Sequence, residues 1–80
     1  MFDGRCLIRR AGVSPEGLAQ LDLKAADSSW DWNWFMSPPG QTKEVLATAL
    51  VAIACDKHVW CQIENPAATW SPVIRFLVEG

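Results

Sequence analysis

Residues 45–55 read VLATALVAIAC, and Thr48 is the only polar residue among the eleven. The run is too short to cross a bilayer, which takes ~20 apolar residues. As a helix it is apolar nearly all round, and such a helix needs cover on more than one side. An 80-residue chain has little left to supply that cover. A core of this size is marginal, and association with another copy is a common remedy. The run therefore predicts a helix buried partly by its own chain and partly by a second one.

Composition narrows the function classes. Half the residues are hydrophobic, which argues against disorder. The formal net charge is −2, and Arg9-Arg10 is the only basic doublet. Nucleic-acid binding draws mostly on phosphate neutralisation, so this balance argues against it, and against an anionic membrane surface. No membrane insertion is expected. The start, MFDGRCLIRRAG, lacks the basic and apolar regions of a signal peptide, which places the chain as written in the cytoplasm, or outside the cell if a leader was removed. Cys6, Cys55 and Cys61 form no CxxC pair, and an odd count suits buried reduced thiols. An exported protein would allow one internal bridge and one free thiol.

Along the chain, residues 2–13 read as a strand with Cys6 and Ile8 on one face and Arg5 and Arg9 on the other. Ser14-Pro15-Glu16-Gly17 matches the residue preferences of a type I turn. Leu21 and Leu23 then alternate with Gln20, Asp22 and Lys24 in a second strand, paired antiparallel to the first. After the turn at 27–29, WDWNWFM reads as a third strand. Trp30, Trp32, Trp34 and Met36 fall on one face, and Asp31, Asn33 and Phe35 on the other. Ser37-Pro38-Pro39-Gly40 stops it.

A helix follows over about 42–55, with Thr42 as N-cap and Glu44 near the positive end of the dipole. Leu46, Ala49, Leu50 and Ile53 form an inward stripe. Val45, Ala52 and the neighbouring alanines form a second surface that another helix could approach closely. HVWCQIE is a fourth strand with Val59, Cys61 and Ile63 facing in and Trp60 facing out. A loop near 65–69 leads to a last strand over 70–79, where Ile74, Phe76 and Val78 alternate with Arg75 and Glu79. The fold class is mostly β with one helix (α+β). The order β-β-β-α-β-β is that of a five-stranded OB-like antiparallel barrel, one domain spanning residues 1–80. The rival is an open antiparallel sheet with the helix on one face.

The stretch from WFMSPPGQTKEVLATALVAIACDKHVWCQIENP to VIRFLVEG resembles small bacterial OB-fold proteins related to toxin B subunits of the subtilase-cytotoxin kind. The shared pattern is an aromatic pair, a Pro-containing loop, a helix rich in Ala and Leu, a short basic turn, a strand, a polar loop and a closing strand. Ser14-Pro15-Glu16-Gly17 matches the first hairpin. The resemblance implies a homo-oligomeric ring, typically a pentamer with helices lining its channel, and carbohydrate binding on a face of the barrel. No glycan-contacting residue of that family is matched here, and none is carried over.

Five tryptophans in 80 residues are the strongest chemical signal. Indole faces stack on sugars, bases and cations, and Trp with nearby Asp or Asn adds hydrogen bonds. The ligand-binding set read from the sequence is Trp30, Asp31, Trp32, Trp60 and Trp70. The bland alternative is that these rings pack the barrel or a subunit contact, where Trp is favoured. The interface set is Val45, Ala49, Ala52 and Trp60. Cys55-x-x-His58-x-x-Cys61 has metal-like spacing, but His58 and Cys61 fall on opposite faces of a strand, so no metal site is assigned. His58 is the only histidine and no motif places a nucleophile beside it, so neither catalytic residues nor cofactors are assigned. The sequence reads as a non-catalytic oligomeric module binding a small ligand or glycan, with a purely structural or protein-interaction module as the alternative.

Overall fold

The computed structural model describes residues 1–79. The chain forms five strands, β1 (Phe2–Val13), β2 (Ala19–Ala25), β3 (Asn33–Met36), β4 (Val59–Ile63) and β5 (Ser71–Val78), and one helix, α1 (Thr42–Ala54). The strands close into a barrel in the order β1-β2-β3-β5-β4, an OB-like arrangement. One pairing departs from the all-antiparallel expectation. β3 and β5 run parallel and meet through two residue pairs, Phe35 with Ser71 and Met36 with Pro72. The long excursion through α1 and β4 brings β5 back in the same direction as β3.

The first hairpin forms as its sequence dictates. Gly17 N–H donates to Ser14 O at 2.9 Å, and Gly17 takes φ of +83°. β1 carries a bulge: Ile8 pairs with Leu23 but Arg10 pairs with Asp22. An extra residue puts two successive side chains on one face and moves the inward phase along by one. Cys6 faces in before it and Ala11 packs on the core after it, while Arg9 and Arg10 both face out.

β3 is shorter than the aromatic run suggests. Only residues 33–36 pair, because the chain turns and bends over 26–30, where the Ser28 N–H donates to Ala25 O and the Ser29 N–H to Asp27 Oδ1, and Asp31 Oδ1 then takes the Trp32 N–H at 2.8 Å. The inward residue is Phe35, fully buried, so Trp34 and Met36 face outward. Trp30 lies off the strand and turns into the barrel mouth, edge-on to Phe2 and Phe35 at 5.1 and 5.3 Å between ring centroids. Its indole N–H is buried without a partner.

The helix is rotated from the expected setting. Val45, Ala49 and Ala52 face the barrel and are buried, whereas Leu50 and Ile53 are exposed. Small residues let the helix backbone approach β1, β2 and β5, and that closeness decides which face turns in. Thr42 is not the N-cap. Gln41 holds that place without a side-chain bond, and Thr42 Oγ1 instead donates to Gly17 O at 2.8 Å, tying the helix start to the first hairpin. At the far end Asp56 adopts φ of +54° while the Asp56 and Lys57 N–H groups donate to Ile53 and Ala52 carbonyls. This is a Schellman stop with Asp in the place usually held by Gly.

β4 turns Val59, Cys61 and Ile63 into the core as its alternation requires. β5 does not follow simple alternation. The register shifts between Gln62 and Ile63, so Val73 is buried while Ile74 is exposed. Arg5 and Glu79 join the two chain ends at 2.7 Å, an exposed pair that contributes little to stability. No helix among the described residues is long and apolar enough to cross a membrane.

Candidate functional site

The tryptophans divide among three places. Trp30 is a barrel plug. Trp60 stands on the outer face of β4, where its Nε1–H donates to Asp3 Oδ1 at 2.7 Å across the β1–β4 pair. Trp32, Trp34 and Trp70 gather on the outer face of β1, β2 and β3, and this cluster has the most organised chemistry in the molecule.

Its foundation is Asp22. The bulge aims both Arg9 and Arg10 at this carboxylate, with Nε to Oδ2 distances of 2.6 and 2.9 Å. The two side chains cover it so fully that only 2% of the Asp22 side chain is exposed, although it points away from the core. Each guanidinium in turn lies over an indole: Arg9 over Trp32 at 4.3 Å and Arg10 over Trp34 at 5.0 Å. Planar guanidinium groups favour such stacking. The carboxylate therefore sets the arginines, and the arginines hold the rings. Replacing Asp22 with Ala leaves two like charges side by side and loosens both indoles. Because the arginines can turn to water, the cost should be about 2 kcal/mol, read by urea denaturation, with a red shift of tryptophan emission in the native state. An unchanged midpoint would show that Asp22 does not organise this face.

Trp70 completes the group from the β4–β5 loop. Its ring stacks on Trp34 with 5.8 Å between centroids and 29° between planes. Its N–H donates to Trp34 O at 2.8 Å, and its backbone takes φ of +67°. A bulky residue in the left-handed region is strained, and such strain often accompanies ligand contacts. Asn33 anchors this loop on β3: Nδ2 donates to Pro66 O at 3.3 Å and Oδ1 accepts from Thr69 Oγ1 at 3.2 Å. Trp70 stays exposed in spite of the stacking, with 44% of its surface open.

Beside Trp70 is a cleft of about 430 Å³ lined by Ser14, Pro15, Glu16, Gln20, Met36 and Trp70. Its floor is the cross-strand pair Gln20 and Met36, and its walls are the β1–β2 turn and the β4–β5 loop. The turn is stiff, since Ser14 Oγ accepts the Leu18 N–H and Ser14 N–H donates to Leu18 O. An apolar ring, a carboxylate, an amide and a thioether around a space of this size suit a small polar ligand with one apolar face.

Of the residues singled out from sequence, Trp32 and Trp70 come together here, joined by Trp34. Asp31 is exposed at the edge of the group, with its carboxylate on the Trp32 N–H. Trp30 and Trp60 lie elsewhere. Val45, Ala49 and Ala52, the helix positions assigned to an interface, are buried against the chain's own core instead. Arg9, Arg10, Asp22 and the cleft residues were not foreseen as a group. The only trace in the sequence is the arginine doublet, which breaks the alternation of the first strand.

Cys55 and His58 are exposed while Cys61 is in the core. A hydrogen bond with Cys6, and then burial, push the Cys61 thiol up so that it stays protonated. Among the described residues no three His, Cys, Asp or Glu side chains converge as metal ligands would. Comparison of the chain with family models, curated proteins and solved structures found no match.

Proposed function

We propose that the chain is a non-catalytic binding module that takes a sugar residue of a glycan on Trp70, in the cleft between the β1–β2 turn and the β4–β5 loop. The observation that carries this reading is Trp70 itself: a strained backbone, one ring stacked on Trp34, and open surface beside a cleft with polar groups on its floor and wall. OB barrels hold oligosaccharides and oligonucleotides on this face and between these loops. That support is an analogy of fold, and the chemistry must choose the ligand. Here both arginines are tied to one carboxylate and Glu16 stands at the cleft, so the face offers little to a phosphate backbone. Neutral hydroxylated rings fit better.

The test is a tryptophan-fluorescence titration with neutral and acidic oligosaccharides, run beside oligothymidylate. Trp70→Ala should weaken sugar binding by about tenfold or more, while Trp60→Ala, on another wall of the barrel, should leave it unchanged. Binding of oligothymidylate alone, or no response to any sugar at millimolar concentration, would overturn the reading.

A further inference from the structure

Two of the three cysteines lie together in the core. β1 and β4 are antiparallel neighbours, with Gly4 opposite Cys61 and Cys6 opposite Val59. Cys6 and Cys61 are therefore diagonal neighbours on the inward face of the sheet, and both are fully buried. The right-handed twist of a sheet draws one diagonal of such residue pairs together and parts the other. The thiols show which diagonal is the short one. The Cys61 S–H donates to Cys6 Sγ. The Cys6 S–H leans the same way and reaches the carbonyl of Gly4, the residue opposite Cys61, at 3.9 Å. Gly4 has no side chain to crowd Cys61, and a Cβ there would come within 3.1 Å of the Phe2 ring. Cys55 is exposed at the end of α1 and has no part in this contact.

We propose that Cys6 and Cys61 are a disulfide pair, oxidised by a disulfide-bearing reagent while the chain is folding and then sealed inside the barrel as a staple between β1 and β4. Thiols buried in apolar surroundings stay protonated and inert, so the reaction belongs to the chain before the barrel closes. The thiolate of one cysteine attacks the S–S bond of the oxidant, forming a mixed disulfide and releasing one thiolate. The thiolate of the other cysteine attacks the protein sulfur of that mixed disulfide, which forms the Cys6–Cys61 bond and expels the second thiolate. The two released thiolates take up the two protons that the cysteines gave away. The cysteines lose two electrons and the oxidant gains two. In the closed barrel the sulfurs already touch, so the bridge asks for only a small approach of the two strands. It closes a loop that holds most of the chain, the setting in which a cross-link constrains the unfolded state most. A staple is a common supplement to a core as small as this one.

The test is to unfold the full chain in urea and refold it with oxidised and reduced glutathione. Peptide mapping should then show Cys6 linked to Cys61, with Cys55 as the one thiol open to alkylation. Cys55→Ser, at an exposed position, keeps the fold and removes that thiol for the melts. Refolded the same way, it should lose two hydrogens in mass and keep the circular dichroism of the reduced chain. Its Tm should lie roughly 5–15 °C above that of the same chain in dithiothreitol. Free thiols at both Cys6 and Cys61, a bridge to Cys55, a glutathione adduct in place of the bridge, or a bridged chain that melts no higher than the reduced one would overturn the proposal. The sugar titration on Trp70 reads a different part of the barrel, so either proposal can fail alone.

Discussion

Ala49→Glu should yield no folded chain at 25 °C. Ala49 has no exposed surface and sits where α1 crosses the barrel. A carboxylate there has neither room nor a partner, and burying an unpaired charge costs at least several kcal/mol. A domain this small has only about 5 kcal/mol to lose. Ala47→Glu and Ala54→Glu, on exposed positions of the same helix, should change stability by no more than about 0.5 kcal/mol. Urea denaturation followed by far-ultraviolet circular dichroism separates the cases. A folded Ala49→Glu chain that had lost only its association would mean that the alanine face meets another molecule instead of the barrel.

The second large effect is expected at Phe35. Its ring is fully buried and forms the edge-on contact that seats Trp30 in the barrel mouth. Phe35→Ala should cost about 3–5 kcal/mol through lost burial and the cavity left behind. For a domain of this size that lowers Tm by roughly 15–30 °C. Met36→Ala, one residue on and facing outward, should cost far less. Thermal melts of the pair decide which face of the aromatic strand is the core. Similar losses for both would mean that the alternation assigned to β3 is wrong.

The architecture was legible because its signals are local. The Ser-Pro-Glu-Gly turn, the alternation of β2 and β4, and the apolar run of α1 each state their element, and their order selects a five-stranded barrel with one helix packed against it. What the sequence concealed was phase. A helix apolar on every side does not say which side turns inward, and its setting came from how closely an alanine face can approach a sheet. The aromatic run alternates equally well with Phe35 or the tryptophans inside. Only the turn and bend over residues 26–30, which free Trp30 from the strand, resolve it. Bulges at Arg9 and Ile74 each move the inward phase by one residue, and a bulge depends on the partner strand as much as on its own.

The candidate site was half legible for the same reason. Tryptophan content identified the chemistry, but five rings along a sequence do not say which of them meet. Trp34 and Trp70 are joined by barrel closure, and Asp22 acquires its two arginines through a bulge. Those links connect residues distant in the chain, and no local pattern announces them.

The two residue pairs between β3 and β5 have a consequence for motion. Every other seam of the barrel is longer, and Pro72 removes a donor from this one. The junction is therefore where the native state opens most readily, as short and sparsely bonded regions do. Opening there would part Trp34 from Trp70 and widen the neighbouring cleft while leaving the hairpin of β1 and β2 intact. A ligand held against Trp70 would bridge the junction and damp that opening, so occupancy of the cleft and the rigidity of the barrel would rise together.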